Sequence, residues 1–221
     1  MQTGSGIRKQ LARAYLLYSL LSVWCIAVAS GFALLSLYSQ RSSPESQPPR
    51  VWPEHVLLEC PSGVAKLLVF IHPKCPCTSA TLSELDRLIA EVGTGLQVVF
   101  LVDCPEDLRD DWMYSESTSR CRSMPQSSTV VDYDGKLARE FHATTSGFCL
   151  LYMDRKLCFQ GGLTTERGHE GESLARVAIR QLLSNGQGKN YRAPVFGCPL
   201  SWSVGINPLA CESCNRETND N

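Results

Sequence analysis

Residues 66–92 read KLLVFI, HPKCPC and TSATLSELDRLIAEV in succession, and the junctions between these three parts decide the fold. Lys66 to Ile71 is short, apolar and partly β-branched, the composition of a buried strand, whereas Leu82, Leu85, Leu88, Ile89 and Val92 recur at helical spacing. His72-Pro73-Lys74-Cys75-Pro76-Cys77 therefore falls where a strand hands over to a helix. With Cys75 as the N-cap, Pro76 takes the first helical position, where its fixed φ suits the helix and its missing N–H is not needed. Both sulfurs then face the positive end of the helix dipole, which favours thiolate over thiol. A thiolate is the nucleophile of disulfide exchange and also a soft-metal ligand, so the turn reads as redox-active or metal-binding.

Downstream, Gly93 and Gly95 stop the helix and Leu96 to Val102 forms a second buried strand, giving a β-α-β unit with parallel pairing. Asp103 to Gln126 is polar, with some helix expected around Glu106 to Tyr114. A structural disulfide is the plain reading of Cys104 and Cys121, which bracket it. Ser128 to Asp132 reads as a strand, Asp134-Gly135 as a turn, and Leu137, Ala138 and Phe141 as one helical face. Gly147 to Met153 and Lys156 to Gln160 form a hairpin around Asp154-Arg155, with Cys149 and Cys158 as buried neutral thiols. Gly161 to Gly171 carries four glycines and is a loop leading to a closing helix from Gly171 to Leu183. Upstream, Val56-Leu57-Leu58 reads as a first short strand.

Strand, Phe70, four residues, Cys75, Pro76, Cys77, helix: this order resembles the active-site entry of the thioredoxin-like superfamily, with the usual C-x-x-C shortened to C-P-C. The resemblance spans roughly Val56 to Ser184 and implies an α/β fold, a central mixed sheet flanked by helices. It gives Cys75 the role of attacking cysteine and Cys77 that of resolving cysteine. An i,i+2 disulfide closes a smaller ring than an i,i+3 one, and its Cα atoms reach the usual ~4.4–6.8 Å only in a turned backbone. Strain of that kind makes a disulfide easier to reduce. Members of the superfamily place a cis-proline just before the hairpin; here that position falls in Thr144-Thr145-Ser146-Gly147, which has none. The resemblance implies that Thr145 or Ser146 stands in, with a hydroxyl bonded to a cysteine sulfur. H-P-x-C-P-C, a short anchor and a late G-G-x-T…R-G-H-E-G loop are together similar to bacterial RedB-type proteins.

Ala14 to Tyr38 carries no charged residue and is long enough to cross a bilayer core of about 30 Å as a helix. It exceeds the ~7–15-residue apolar core of a cleaved signal peptide, so an uncleaved anchor is expected. Arg8, Lys9 and Arg13 precede it, while Arg41 and Arg50 after it are diluted by Glu45; this bias leaves the N-terminus in the cytoplasm and the rest outside, in the periplasm of a bacterium. The chain divides into a cytoplasmic N-terminus (1–13), a transmembrane helix (14–38), a Pro- and Ser-rich tether (39–54), the thioredoxin-like domain (55–184) and a cysteine-containing extension (185–221). Net charge is −1, which gives no basic footprint and sets nucleic acid aside.

Of the eleven cysteines, Cys25 lies in the membrane segment and reads as packing. The other ten lie where disulfides are permitted, with connectivity open. Gly, Pro and Asn run through the tail from Asn185, an extension without its own core. Its Cys198 and the pair Cys211 and Cys214 can bind a metal, accept electrons or be disulfide-linked, and that pair can exchange with Cys75 and Cys77. His169 reads as a surface histidine or as a ligand; His72, three residues before Cys75, reads as a buried strand-end histidine or as a tuner of the thiolate.

Two functions follow. The first is a membrane-anchored thiol-disulfide oxidoreductase without a cofactor, acting on cysteines of exported proteins. In it Cys75 attacks, Cys77 resolves, and Lys74 and the helix terminus hold the thiolate. The second is a metallochaperone holding Cu(I) through Cys75, Cys77 and His169, since soft thiolates suit that ion.

Overall fold

The computed structural model describes residues 3–105, 112–186 and 190–203. They form two compact units, one through Arg41 and one from Ser42. In the first, α1 (Thr3–Ser39) is a single helix whose stretch Arg13–Ser39 is apolar and long enough to cross a membrane.

The second unit is built on a six-stranded sheet. Its elements are β1 (Ala65–Ile71), α2 (Thr78–Val92), β2 (Leu96–Cys104), α3 (Glu116–Ser123), β3 (Ser127–Tyr133), α4 (Lys136–Glu140), β4 (Cys149–Met153), β5 (Lys156–Gly161), α5 (Leu174–Asn185) and β6 (Tyr191–Arg192). The spatial order is β3-β2-β1-β4-β5-β6. β1 pairs in parallel with β2 from Ala65↔Leu96 to Ile71↔Val102, and antiparallel with β4. This is a thioredoxin-like fold, with the cysteine turn at the C-terminal end of the central strand.

The period-2 alternation of β1 explains why it is central. Leu67, Val69 and Ile71 point to one face, where they pack with Leu82, Leu85 and Leu88 of α2 and Ile179 and Leu182 of α5. Leu68 and Phe70 point to the other, among Phe141, Phe148, Leu150, Tyr152 and Trp52. Both faces are covered, so the strand is apolar without interruption from Leu67 to Ile71.

Two sequence expectations change and one falls partly outside the described residues. Val56-Leu57-Leu58 is a bend rather than a strand, and Leu57 is fully exposed. Residues 106–111 of the helix expected around Glu106 to Tyr114 lie outside the described residues. The tether from Ser43 to Trp52 lies on the domain. Trp52 N–H donates to the Arg155 carbonyl and the Tyr152 hydroxyl to the Pro49 carbonyl, and the Trp52 ring packs edge-on against Phe141 and Tyr152 at 5.4 and 5.1 Å. A proline-rich segment has few N–H groups to satisfy and lies easily against a surface that offers its carbonyls partners.

The extension from Asn185 also belongs to the fold as far as Ser203. β6 pairs in parallel with β5 and stacks Tyr191 on Phe159, and Leu200 is buried in the Trp52 face of the core. Gly, Pro and Asn suppress periodicity without preventing docking. The remainder of the tail, with Cys211 and Cys214, lies outside the described residues.

Trp52→Ala is expected to destabilise the domain by about 3–5 kcal/mol, the range for truncating a buried aromatic. A free tether would give a change within about 0.5 kcal/mol in the same urea unfolding of the detergent-solubilised chain.

Candidate active site

β1 delivers His72 and then turns. Cys75 N–H donates to the His72 carbonyl at 3.0 Å and Thr78 N–H to the Cys75 carbonyl at 3.0 Å, so two tight turns precede α2. The helix cap is Cys77, not Cys75, because the turn closing Cys75 to Thr78 delays the first helical bond to Thr81 N–H on the Cys77 carbonyl. Pro76 consequently sits in the turn, exposed, ahead of the helix.

Cys75 Sγ lies at the centre of the site and is only 3% exposed. The backbone N–H of Cys198 donates to it at 3.3 Å. The thiols of Cys198 and Cys77 also donate to it, as does the Cys77 backbone N–H. Together, with the Cys198 thiol the largest contributor, these donors outweigh burial and hold the Cys75 thiol far below its ordinary range. Cys77 moves the other way: it keeps its proton and donates it in a hydrogen bond to Cys75, is half-buried and faces a negative sulfur, so its thiol is held above the usual range. The Arg167 guanidinium and the Gly168 N–H partly oppose that rise. One ionised and one protonated thiol in contact is the state a dithiol needs to attack and then resolve.

Cys198 is the residue that sequence reasoning did not bring to the site. Its segment runs antiparallel beside Thr144-Thr145-Ser146. Ser146 N–H donates to the Cys198 carbonyl at 2.8 Å, Leu200 N–H to the Thr144 carbonyl at 2.9 Å, and Thr145 bridges Pro199. Gly197 has no room for a side chain, since a Cβ there would collide with the Ser146 carbonyl oxygen. Arg167 Nη1 donates to the Gly197 carbonyl at 2.8 Å. Further along, Ser201 donates its N–H and hydroxyl to Asp103 at 2.7 and 2.6 Å, and Trp202 Nε1 donates to the Ala143 carbonyl at 2.9 Å. Burial pushes Asp103 up to about 6. The only sequence signal was a cysteine between glycine and proline in a stretch without periodicity.

The other candidates fall as follows. His72 is buried, packs its ring at a tilt against Trp112 at 4.6 Å and accepts the Lys74 N–H at Nδ1. Burial lowers its pKa, so it is a neutral imidazole bracing the turn. Lys74 is exposed, and the stabilisation expected from it comes from Cys198 and Cys77. Ser146 does not reach a sulfur: its hydroxyl accepts the His72 N–H at 2.9 Å and meets the Thr78 hydroxyl at 3.1 Å, which fixes the strand end to the helix start. The Thr145 hydroxyl meets that of Thr144 at 3.4 Å, and Thr145 serves the site through its backbone. The loop before α5 does reach Cys77, but through Arg167 and Gly168; His169 is exposed. Among the described residues no group of three or more His, Cys, Asp or Glu side chains is arranged as a metal site. Glu84 of α2, 1% exposed, accepts the Gly171 N–H at 2.9 Å and pairs with Arg87 and Arg176, which ties that loop to the helix.

Cys104, Cys121, Cys149 and Cys158 lie on other parts of the sheet and its helices. Cys104 and Cys121 are both buried and not joined to each other. Cys149 pairs with Gly161 across the hairpin rather than with Cys158, and burial raises both thiols.

No protein-family model matches the chain, and no curated protein matches it in sequence. Solved structures do. A hypothetical protein of Sinorhizobium meliloti aligns with TM-score 0.52 and 20% identity over 65% of this chain and 82% of its own. An uncharacterized conserved protein of Geobacillus kaustophilus aligns with TM-score 0.50 and 18% identity over 74% and 93%. A secreted disulfide oxidoreductase of Mycobacterium tuberculosis aligns with TM-score 0.35 and 12% identity over 56% and 83%. At these identities the likeness is one of fold.

The reduced protein is expected to keep thiolate ultraviolet absorbance at pH values well below the ordinary thiol pKa of about 8.5, and to lose it in Cys75→Ser. In Gly197→Ala, which displaces the Cys198 segment, the titration moves back toward that value. Stability follows in sign. The folded-state pKa of Cys75 lies below the unfolded one, so its contribution is complete above about pH 8.5 and is lost as pH falls through the folded value. Reduced wild type should therefore gain stability over Cys75→Ser as pH rises through that window in urea unfolding.

Proposed function

We propose that this chain is a membrane-anchored thiol-disulfide oxidoreductase that exchanges disulfides with cysteines of exported proteins. The observation that carries it is the contact of an ionised Cys75 with a protonated Cys77 at the strand-to-helix turn, under donors that no inert buried thiol requires.

In the reducing direction the Cys75 thiolate attacks one sulfur of a substrate disulfide. The S–S bond breaks, the electron pair leaves on the other substrate sulfur, and a mixed disulfide joins Cys75 to the substrate. A thiol of the enzyme then loses its proton, attacks the Cys75 sulfur and releases the second substrate sulfur as thiolate. The oxidised enzyme is left with an internal disulfide, two electrons having passed to the substrate. Cys77, in contact with Cys75, is one thiol placed to resolve it. Oxidation of a substrate dithiol is the same sequence reversed.

The anchoring reading is supported by the apolar helix Arg13–Ser39. The charge bias around it favours an N-terminus in the cytoplasm and a domain outside. That side of the membrane supplies thiol-containing exported proteins as substrates and permits a lasting disulfide.

The test is a glutathione redox series on the detergent-solubilised chain, with thiols trapped by alkylation and counted by mass spectrometry. A reversible two-electron couple that includes Cys75 and disappears in Cys75→Ser is expected, with Lys74→Ala close to wild type. Alkylation of Cys75 that does not respond to the glutathione ratio would overturn the proposal.

A further inference from the structure

Among the described residues Cys75 has two thiol neighbours, and the sequence motif accounts for only one. Cys77 is two residues away in the chain, so a Cys75–Cys77 disulfide closes a small ring that few backbone conformations permit. Cys198 arrives from the far end of the fold on an extended segment that imposes no such ring. Its thiol and its backbone N–H both meet Cys75 Sγ.

The segment is fixed from three sides. Ser146 N–H, the Thr145 bridge and Leu200 N–H set its register; the Arg167 guanidinium holds the carbonyl of Gly197, and Asp103 holds Ser201. Glycine is required before the cysteine because the backbones of Gly197 and Ser146 are in contact. Edge-to-edge backbone pairing of this kind is how an extended peptide docks on an exposed strand or loop, with hydrogen bonds supplying affinity and one side chain directed into a site. Here the peptide belongs to the chain and the directed side chain is a thiol.

Resting on the oxidoreductase reading, we propose that Cys198 is a third redox cysteine, which resolves mixed disulfides on Cys75 by forming a Cys75–Cys198 disulfide across the site. The step balances as follows. Cys75 carries a mixed disulfide from a substrate or from glutathione disulfide. Cys198 gives up its thiol proton and attacks the Cys75 sulfur, the bond to the substrate sulfur breaks, and the electron pair leaves as substrate thiolate, which takes the proton. The oxidant is the substrate disulfide itself. The resulting cross-link fastens the tail segment to Cys75 until a dithiol reductant reduces it.

The experiment compares wild type, Cys77→Ser, Cys198→Ser and the double variant as full chains in detergent. Each is reduced, exposed to glutathione disulfide, acid-quenched, alkylated and mapped by protease digestion and mass spectrometry. Wild type and Cys77→Ser are expected to yield the peptide pair joined through Cys75 and Cys198, which is lost in Cys198→Ser. Stable glutathionylation of Cys75 is expected only in the double variant. Stable glutathionylation of Cys75 in Cys77→Ser alone, with Cys198 alkylated, would overturn the role of Cys198 while leaving the oxidoreductase reading intact. Absence of any glutathione adduct or disulfide on Cys75 in all four proteins would overturn both. Circular dichroism of each variant identifies any that fails to fold; in that case Cys198→Ala replaces Cys198→Ser, with the same outcomes deciding.

Discussion

A sulfur buried as deeply as Cys75 Sγ carries negative charge only if hydrogen-bond donors replace the water it has lost. That requirement organises the molecule around the site. The helix start supplies Cys77, and its backbone N–H and thiol reach the sulfur. A single helix terminus does not surround a sulfur, and the fold brings the remaining donors from residue 198, 123 positions along the chain.

The peripheral elements therefore serve the centre. β6 extends the sheet past β5 and sets the direction in which the tail leaves it. Asp103 stands one residue beyond the last β1 pairing partner on β2 and captures Ser201. Glu84 ties the glycine-rich loop to α2, and that loop lends Arg167 to both the Gly197 carbonyl and Cys77. The site is thus assembled from β1, α2, the loop before β4, the loop before α5 and the tail, with the two apolar faces of the sheet keeping these parts in register.

How much of this the sequence disclosed depended on whether the signal repeats. β1, α2, β2, β3 and the hairpin were legible because alternating or helical apolar residues recur within each. The position of the turn was legible because it lies between two runs of different period. The cap was misplaced by two residues, since tight turns before a helix depend on dihedral angles that residue type leaves open. Lys74 attracted attention because its charge is visible in a sequence, whereas backbone N–H groups, which do the stabilising together with thiols, are not. Ser146 was correctly placed near the turn but its hydroxyl is taken by His72 and Thr78. Trp52 and the 190–203 segment were read as tether and appendage because proline, glycine and asparagine erase periodicity. Their docking rests on single contacts such as Gly197 against Ser146, which no pattern announces.

The central claim is that the tail segment completes the site through Cys75, and amide hydrogen exchange resolved to Cys198 tests it most directly. In the reduced full chain the Cys198 amide should be protected from exchange. In Cys75→Ser, where no thiolate accepts it, that amide should lose protection while the Ser146 and Leu200 amides keep most of theirs. Rapid exchange of Cys198 in the wild type, indistinguishable from the Cys75→Ser protein, would contradict the account.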